Sequence, residues 1–270
     1  MAKKPRYGVC KLCGELSVLT YEHVPPRSAF NNTPARLIEG REVLKSLDSD
    51  RLPWEFSDLR GRIQQQGKGG YFLCRKCNEN SGSWYVPFFT EYVQGVFGAI
   101  YSNNGIEGVT AMQLRAESIR PLAIFKEIMV LFCDINSGCF GDSNLRSFLL
   151  EKNNTDMFDS KKYRVFCYIA KGPVFRMNGL SINCHHVNTH KPIFVEMTEL
   201  SSFPLGFSLY IDLPDGYQPE GCEITSFSQF HYEDSVSCEI TLPVLESNVL
   251  FSGDYRTKQE ILNTIKGSNE

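Results

Sequence analysis

The sequence predicts an α+β protein: a small cysteine-rich head followed by a larger mixed domain of helices and antiparallel strands. Three observations predict it. Two Cys-x-x-Cys pairs, Cys10/Cys13 and Cys74/Cys77, frame the first third of the chain. A long apolar stretch with helical spacing, SIRPLAIFKEIMVLFCDIN, begins at Ser118. From Tyr163 onward, short β-rich runs alternate with Gly, Pro, Asn and Asp. The head is read as residues 1–110 and the body as residues 111–270.

Composition bounds the answer. Of 270 residues, 42% are hydrophobic and 12% aromatic, enough for a sizeable core and too many for global disorder. The longest apolar runs fall far short of the roughly 18 residues a membrane span needs. The start, MAKKPRYGVC, is basic but has no apolar stretch behind it, so no secretory signal is expected and the chain is placed in the cytoplasm. Ten cysteines in such a chain read as reduced thiols, and paired ones as metal ligands. Residues 1–90 hold 14 Lys/Arg against 9 Asp/Glu, a balance of +5, whereas the remainder holds 14 against 22, a balance of −8. A basic head facing a polyanion and an acidic body of another kind fit that asymmetry.

The elements follow in order. LSVLTY is a short apolar strand signal between the first cysteine pair and the stretch YEHVPPRSAF. Glu22 and His23 are adjacent, so on a strand they point to opposite faces unless the backbone turns. Pro25 and Pro26 stop a helix and supply such a turn. Residues 31–70 read as a polar insertion with one short helix near 35–45. YFLC is a strand, followed by the second cysteine pair and an aromatic run that is helical after Pro87. The stretch at Ser118 reads as a buried helix with Ser118 as its N-cap, and NLRSFLLEK as another helix. YRVFCYIA, GPVFRMNG, KPIFVEM, GFSLYIDL, CEITSF and SCEITL read as strands.

Two Cys-x-x-Cys pairs, here 60 residues apart, are a structural zinc signature: four thiolates match the tetrahedral preference of Zn²⁺. The six other cysteines read as small core residues. The full order is Cys10-x-x-Cys13, strand, Glu22-His23-x-x-Pro26, insertion, Leu73-Cys74-x-x-Cys77-Asn78, helix. That ordered set, over about residues 8–90, resembles the HNH endonucleases of the ββα-metal superfamily. The resemblance implies a zinc-stabilised ββα-metal head. It implies His23 as general base, Glu22 and Asn78 as ligands of a catalytic Mg²⁺ or Mn²⁺, and Cys10, Cys13, Cys74 and Cys77 on a separate structural zinc. Phosphodiester hydrolysis needs such parts: a base that titrates near neutrality and a hard cation on oxygen ligands.

The sequence departs from that family in two places. Glu22 stands where Asp is usual, and no Asn precedes the second cysteine pair to tie down the His loop. Gln64, Gln65 and Gln66 are the candidate stand-ins, and Asn80 competes with Asn78. Arg27, Arg75 and Lys76 are candidate phosphate contacts, which position nucleic acid without reading its sequence. The expected substrate is DNA, with RNA the alternative. Family analogy extends to restriction or antiviral defence, with residues 111–270 serving recognition, sensing, partner binding or homo-oligomer assembly. The rival reading is a non-catalytic zinc-stabilised module that binds nucleic acid or protein.

Other features read as structural. His185-His186-x-x-x-His190 is a polar hairpin loop before it is a metal site. Lys68-Gly69-Gly70 lacks the length and the Ser/Thr of a phosphate-binding loop. Trp84, Tyr85, Phe88 and Phe89 form a core or a seam between the two halves.

Overall fold

A computed structural model describes residues 4–45, 51–185 and 192–267. His186 and His190 lie outside the described residues.

The fold is α+β. Strands β1 (Arg6–Val9) and β2 (Leu16–His23) form a hairpin, and β2 pairs antiparallel with β5 (Gly69–Cys74), making a three-stranded sheet in the order β1-β2-β5. Helix α2 (Arg75–Trp84) leaves β5 without a connecting residue. It breaks at Tyr85, and α3 (Val86–Ser102) follows with Pro87 in its first turn, where a proline costs no helical hydrogen bond.

The insertion holds the short helix expected near 35–45, as the one-turn α1 (Gly40–Leu44), and in addition an unanticipated antiparallel strand pair, β3 (Ala35–Ile38) with β4 (Gly61–Gln64). The strands are four residues each, too short for a period to show.

In the body, β6 (Ala111–Ile119) precedes α4 (Pro121–Ile135) and α5 (Ser143–Leu150). Then come β7 (Tyr163–Lys171), β8 (Arg176–His185), β9 (Ile193–Ser202), β10 (Leu205–Ile211), the short β11 (Cys222–Glu223) and β12 (Val236–Glu246). They form one sheet in the order β6-β12-β7-β10-β9-β8, with β11 also on β7. All its pairs are antiparallel except β12 with β7. Helix α6 (Lys258–Gly267) ends the described chain.

Two readings are corrected. Ser118 is not an N-cap: it belongs to β6 with φ 67°, and α4 starts at Pro121 behind Arg120. CEITSF is a strand for only two residues and then a 3-10 turn, Thr225–Gln229. Strand β6 itself was not anticipated.

Helix α4 sits at the centre. Every residue from Pro121 to Asp134 is buried, including Lys126, Glu127 and Asp134. Lys126 Nζ donates to the carbonyls of Phe148, Glu151, Lys152 and Asn154, closing the C-terminal end of α5. One hydrophobic core runs from Cys10, Leu12 and Leu73 of the head through α3 and α4 to Phe207 and Leu242 of the large sheet. Among the described residues, no helix is long and apolar enough to cross a membrane.

Candidate metal centre and the cleft beside it

The first cysteine pair occupies the β1–β2 turn. Gly14, at φ +81°, closes that turn, with its N–H donating to Cys10 O at 2.8 Å. The second pair sits at the β5–α2 junction, where Cys74 is the last strand residue and Cys77 lies in the first helical turn. The register of β2 on β5, which sets Leu19 against Cys74, brings the two pairs together. The four Sγ atoms lie within 4.8 Å of one another, and Cys13 Sγ stands 4.0 Å from Cys74 Sγ. A tetrahedron with Zn–S bonds of 2.3 Å has sulfur separations of about 3.8 Å. The thiols are electrostatically in conflict. Cys10 is pulled well below the ordinary thiol range, chiefly because Cys77 donates to it, against the opposing effect of burial. Cys77 is driven upward by the same contact and by burial. A divalent cation that takes all four thiolates removes that conflict. Four cysteines therefore form a cluster that can hold a metal ion such as zinc.

Beside the cluster lies a cleft of about 280 Å³. The chain leaves β2 through a cis Val24–Pro25 bond, and Glu22 and His23 both line the cleft despite being neighbours on a strand. Asn78 of α2 lines it too, whereas Asn80 does not. Thr20 links the acid to the helix. Its Oγ1 accepts from Asn78 Nδ2 at 3.1 Å and can give its single proton to Glu22 Oε1, 2.8 Å away, or to Leu73 O, 3.0 Å away. The nitrogen of Asn78 is thereby engaged, which leaves the oxygen arm of the amide for a cation. Burial pushes the Glu22 carboxyl up to about 7, with the Thr20 contact acting against it and Cys10 adding to it.

His23 Nε2 stands 3.0 Å from the main-chain oxygen of Gln66. A carbonyl only accepts, so in the neutral ring Nε2 carries the hydrogen and Nδ1 keeps its lone pair. The Tyr21 ring packs edge-on against the imidazole, with centroids 5.2 Å apart. The Gln66 carbonyl is itself held in place. Asn31, fully buried, donates to Pro25 O at 2.6 Å and Lys68 O at 2.7 Å, and accepts from Lys68 N at 2.7 Å. Gly67, at φ +94°, lies so close that a Cβ there would stand 2.2 Å from Asn31 O.

No family model, no curated protein and no solved structure matches this chain.

The site is read from its own chemistry. One cleft holds a carboxylate, an amide and an imidazole, next to a thiol cluster. The far wall comes from the body: Glu127, Val130, Leu131 and Asp134 form one face of α4. Burial first and Glu22 second raise the Glu127 carboxyl to about 8. Asp134 is raised well above its ordinary value by burial, then by Glu22 and Glu127, with Lys11 opposing. Arg27 is exposed at the edge of the cleft. Arg75 and Lys76 are exposed on the first turn of α2 and are not part of the cleft wall. Sequence reading missed Thr20, Asn31, Gly67, Glu127 and Asp134. For the two acids a signal existed: with Lys126 they are the charged residues of an otherwise apolar helix, and they stand at i and i+7.

Proposed function

We propose that this chain is a metal-dependent endonuclease that hydrolyses phosphodiester bonds in DNA. The observation that carries the reading is the joint placement of His23, Glu22 and Asn78 in one cleft, with His23 Nε2 committed to a carbonyl. That commitment leaves Nδ1 to accept a proton from a water attacking phosphorus, while the bond to the leaving sugar oxygen breaks. A divalent cation on Glu22 and Asn78 would supply positive charge for the nonbridging and leaving oxygens. Zinc is the reading for the four thiols. With four protein ligands it keeps no open position, so its role is to hold β2, β5 and α2 together. Arg27 offers a phosphate contact at the cleft edge. A place in restriction or antiviral defence, and any role of residues 111–270 in recognition or assembly, rests on family analogy alone.

The test is supercoiled plasmid with Mg²⁺ or Mn²⁺, with and without EDTA, run in parallel with a structured RNA. The parent protein should nick DNA only with the cation present. His23→Ala should cleave at least about a hundredfold more slowly, the low end of what a general base contributes. Its zinc content should be unchanged. RNA cleavage without DNA cleavage would move the assignment to an RNA-directed nuclease. If the parent cleaves neither, the zinc-stabilised binding module replaces it.

A further inference from the structure

Two carboxylates in this molecule are out of place. Glu127 is 3% exposed and Asp134 2% exposed, on a helix whose other buried residues are nearly all apolar. Leucine at either position would fill the same volume without a penalty, whereas a buried carboxylate without a partner costs several kcal/mol. Among the described residues, Glu127 Oε2 and Asp134 Oδ1 have no hydrogen-bond partner. Buried polar atoms in folded proteins are nearly always paired, so two orphans on one helix face need an explanation. Both line the cleft that Glu22, His23 and Asn78 line from the other side. Neither nearby lysine pairs with them: the Lys126 ammonium, beside Glu127 in sequence, is taken up by the carbonyls at the end of α5, and Lys11, whose charge favours an ionised Asp134, donates to the Asp134 main-chain oxygen.

We propose that Glu127 and Asp134 are ligands of a divalent cation held between α4 and Glu22, so that the head and the body build the cation site jointly. The orphan oxygens then acquire the partner they lack, and three acids in one cleft become an attraction instead of a conflict. The donor set is all oxygen, which selects Mg²⁺ or Mn²⁺ over zinc. Glu127 and Asp134 stand two helical turns apart, roughly 10 Å along the axis. Mg²⁺ commonly keeps several waters and takes one or two carboxylates directly, so one of the pair can act through a coordinated water. The proposal rests on the reading that Glu22 and Asn78 hold a cation. It is independent of whether the cation serves phosphodiester cleavage.

The experiment measures Mn²⁺ binding to the zinc-loaded full chain, by calorimetry and by the loss of the free Mn²⁺ spin-resonance signal. The parent should bind Mn²⁺. Glu127→Gln and Asp134→Asn, which keep shape and remove charge, should each weaken binding by about 10–100-fold, and the double variant should abolish it. Zinc content should stay at the parent level in all three. Mn²⁺ should raise the melting temperature of the parent and leave that of the double variant unchanged. A second measurement needs no variant. Fe²⁺ bound in place of Mn²⁺, with ascorbate and peroxide, should oxidise the peptides carrying Glu22 and Glu127–Asp134, as read by mass spectrometry. Variants that bind Mn²⁺ as tightly as the parent, or oxidation confined to other peptides, would overturn the proposal. Mn²⁺ binding that is lost in the variants, in a protein that cleaves no nucleic acid, would support the site and sink the nuclease. A parent that binds no Mn²⁺ overturns both.

Discussion

His23 depends on a main-chain atom. The Gln66 carbonyl fixes the imidazole, so the glutamine side chain is dispensable, while Asn31 and Gly67 are not. Gln66→Ala should retain parental activity and stability. Asn31→Ala removes three hydrogen bonds at a fully buried position and should cost on the order of 3 kcal/mol, with a fall in turnover because the His loop loosens. Denaturant melts and single-turnover cleavage separate the two effects. A Gln66→Ala protein as impaired as His23→Ala would show that the side chain, not the carbonyl, does the holding. This is also where sequence reading stops. Glu22-His23 and the cysteine pairs are legible because their partners lie a few residues away. The tie to the His loop was sought just before Cys74, among the glutamines. It comes from Asn31, which reaches Lys68 across the insertion, and no local spacing encodes that contact.

Among the elements, α4 and α5 were legible, and the start of α5 was read to within a residue, whereas that of α4 was not. An apolar pattern all round a helix announces burial, and α4 is buried from Pro121 to Asp134. The start was misread because Ser118 looks like a cap, yet β6 runs on to Ile119 and Pro121 opens the helix. For α5 the cap is Asp142, whose Oδ1 accepts from Asn144 N at 2.9 Å and Leu145 N at 3.1 Å. Its Oδ2 meets Lys162 Nζ at 3.2 Å and Tyr163 Oη at 3.0 Å. Partial burial disfavours the charged form, but these donors outweigh it and hold the carboxyl below its ordinary value. A carboxyl lowered by folding stabilises the protein above its unfolded value and loses that contribution as pH falls through the folded one. Amide exchange in α5 should therefore accelerate as pH drops below about 4, the ordinary aspartate value, after correction for intrinsic rates. Asp142→Ala should remove the pH dependence and cost about 0.5–2 kcal/mol at neutral pH. An unchanged acid profile in that variant would mean that another group controls α5.

At the scale of the whole molecule, the head–body boundary read at residue 110 falls in the loop between α3 and β6, yet the core crosses it. The crossing is specific. Lys11 Nζ donates to Asp134 O, and the Cys139 thiol lies 3.7 Å from both Lys11 O and Leu12 O. Gly138 fits so closely under the first cysteine turn that a Cβ there would stand 2.7 Å from Lys11 O. Tyr85 Oη donates to Leu149 O at 2.9 Å, and Tyr232 Oη to Trp84 O at 2.8 Å. The loop that carries the first two thiols thus rests on the end of α4, and the helix that carries the last is tied to the body through its C-terminus. A metal at the four thiols would then support more than the head. Structural zinc contributes folding free energy outright, because the unfolded chain holds no preformed site. With zinc bound, the full chain should hold about one ion per molecule and melt in a single transition. Cys74→Ser should lower the zinc content and shift that whole transition downward. Chelation should release amide protection in α2 and in α4 together, as measured by hydrogen exchange, because α4 loses the wall that its Glu127–Asp134 face packs against. If α2 loses protection while α4 and β7 keep theirs, the head and the body are separate folding units, and the boundary near residue 110 is a real seam in stability.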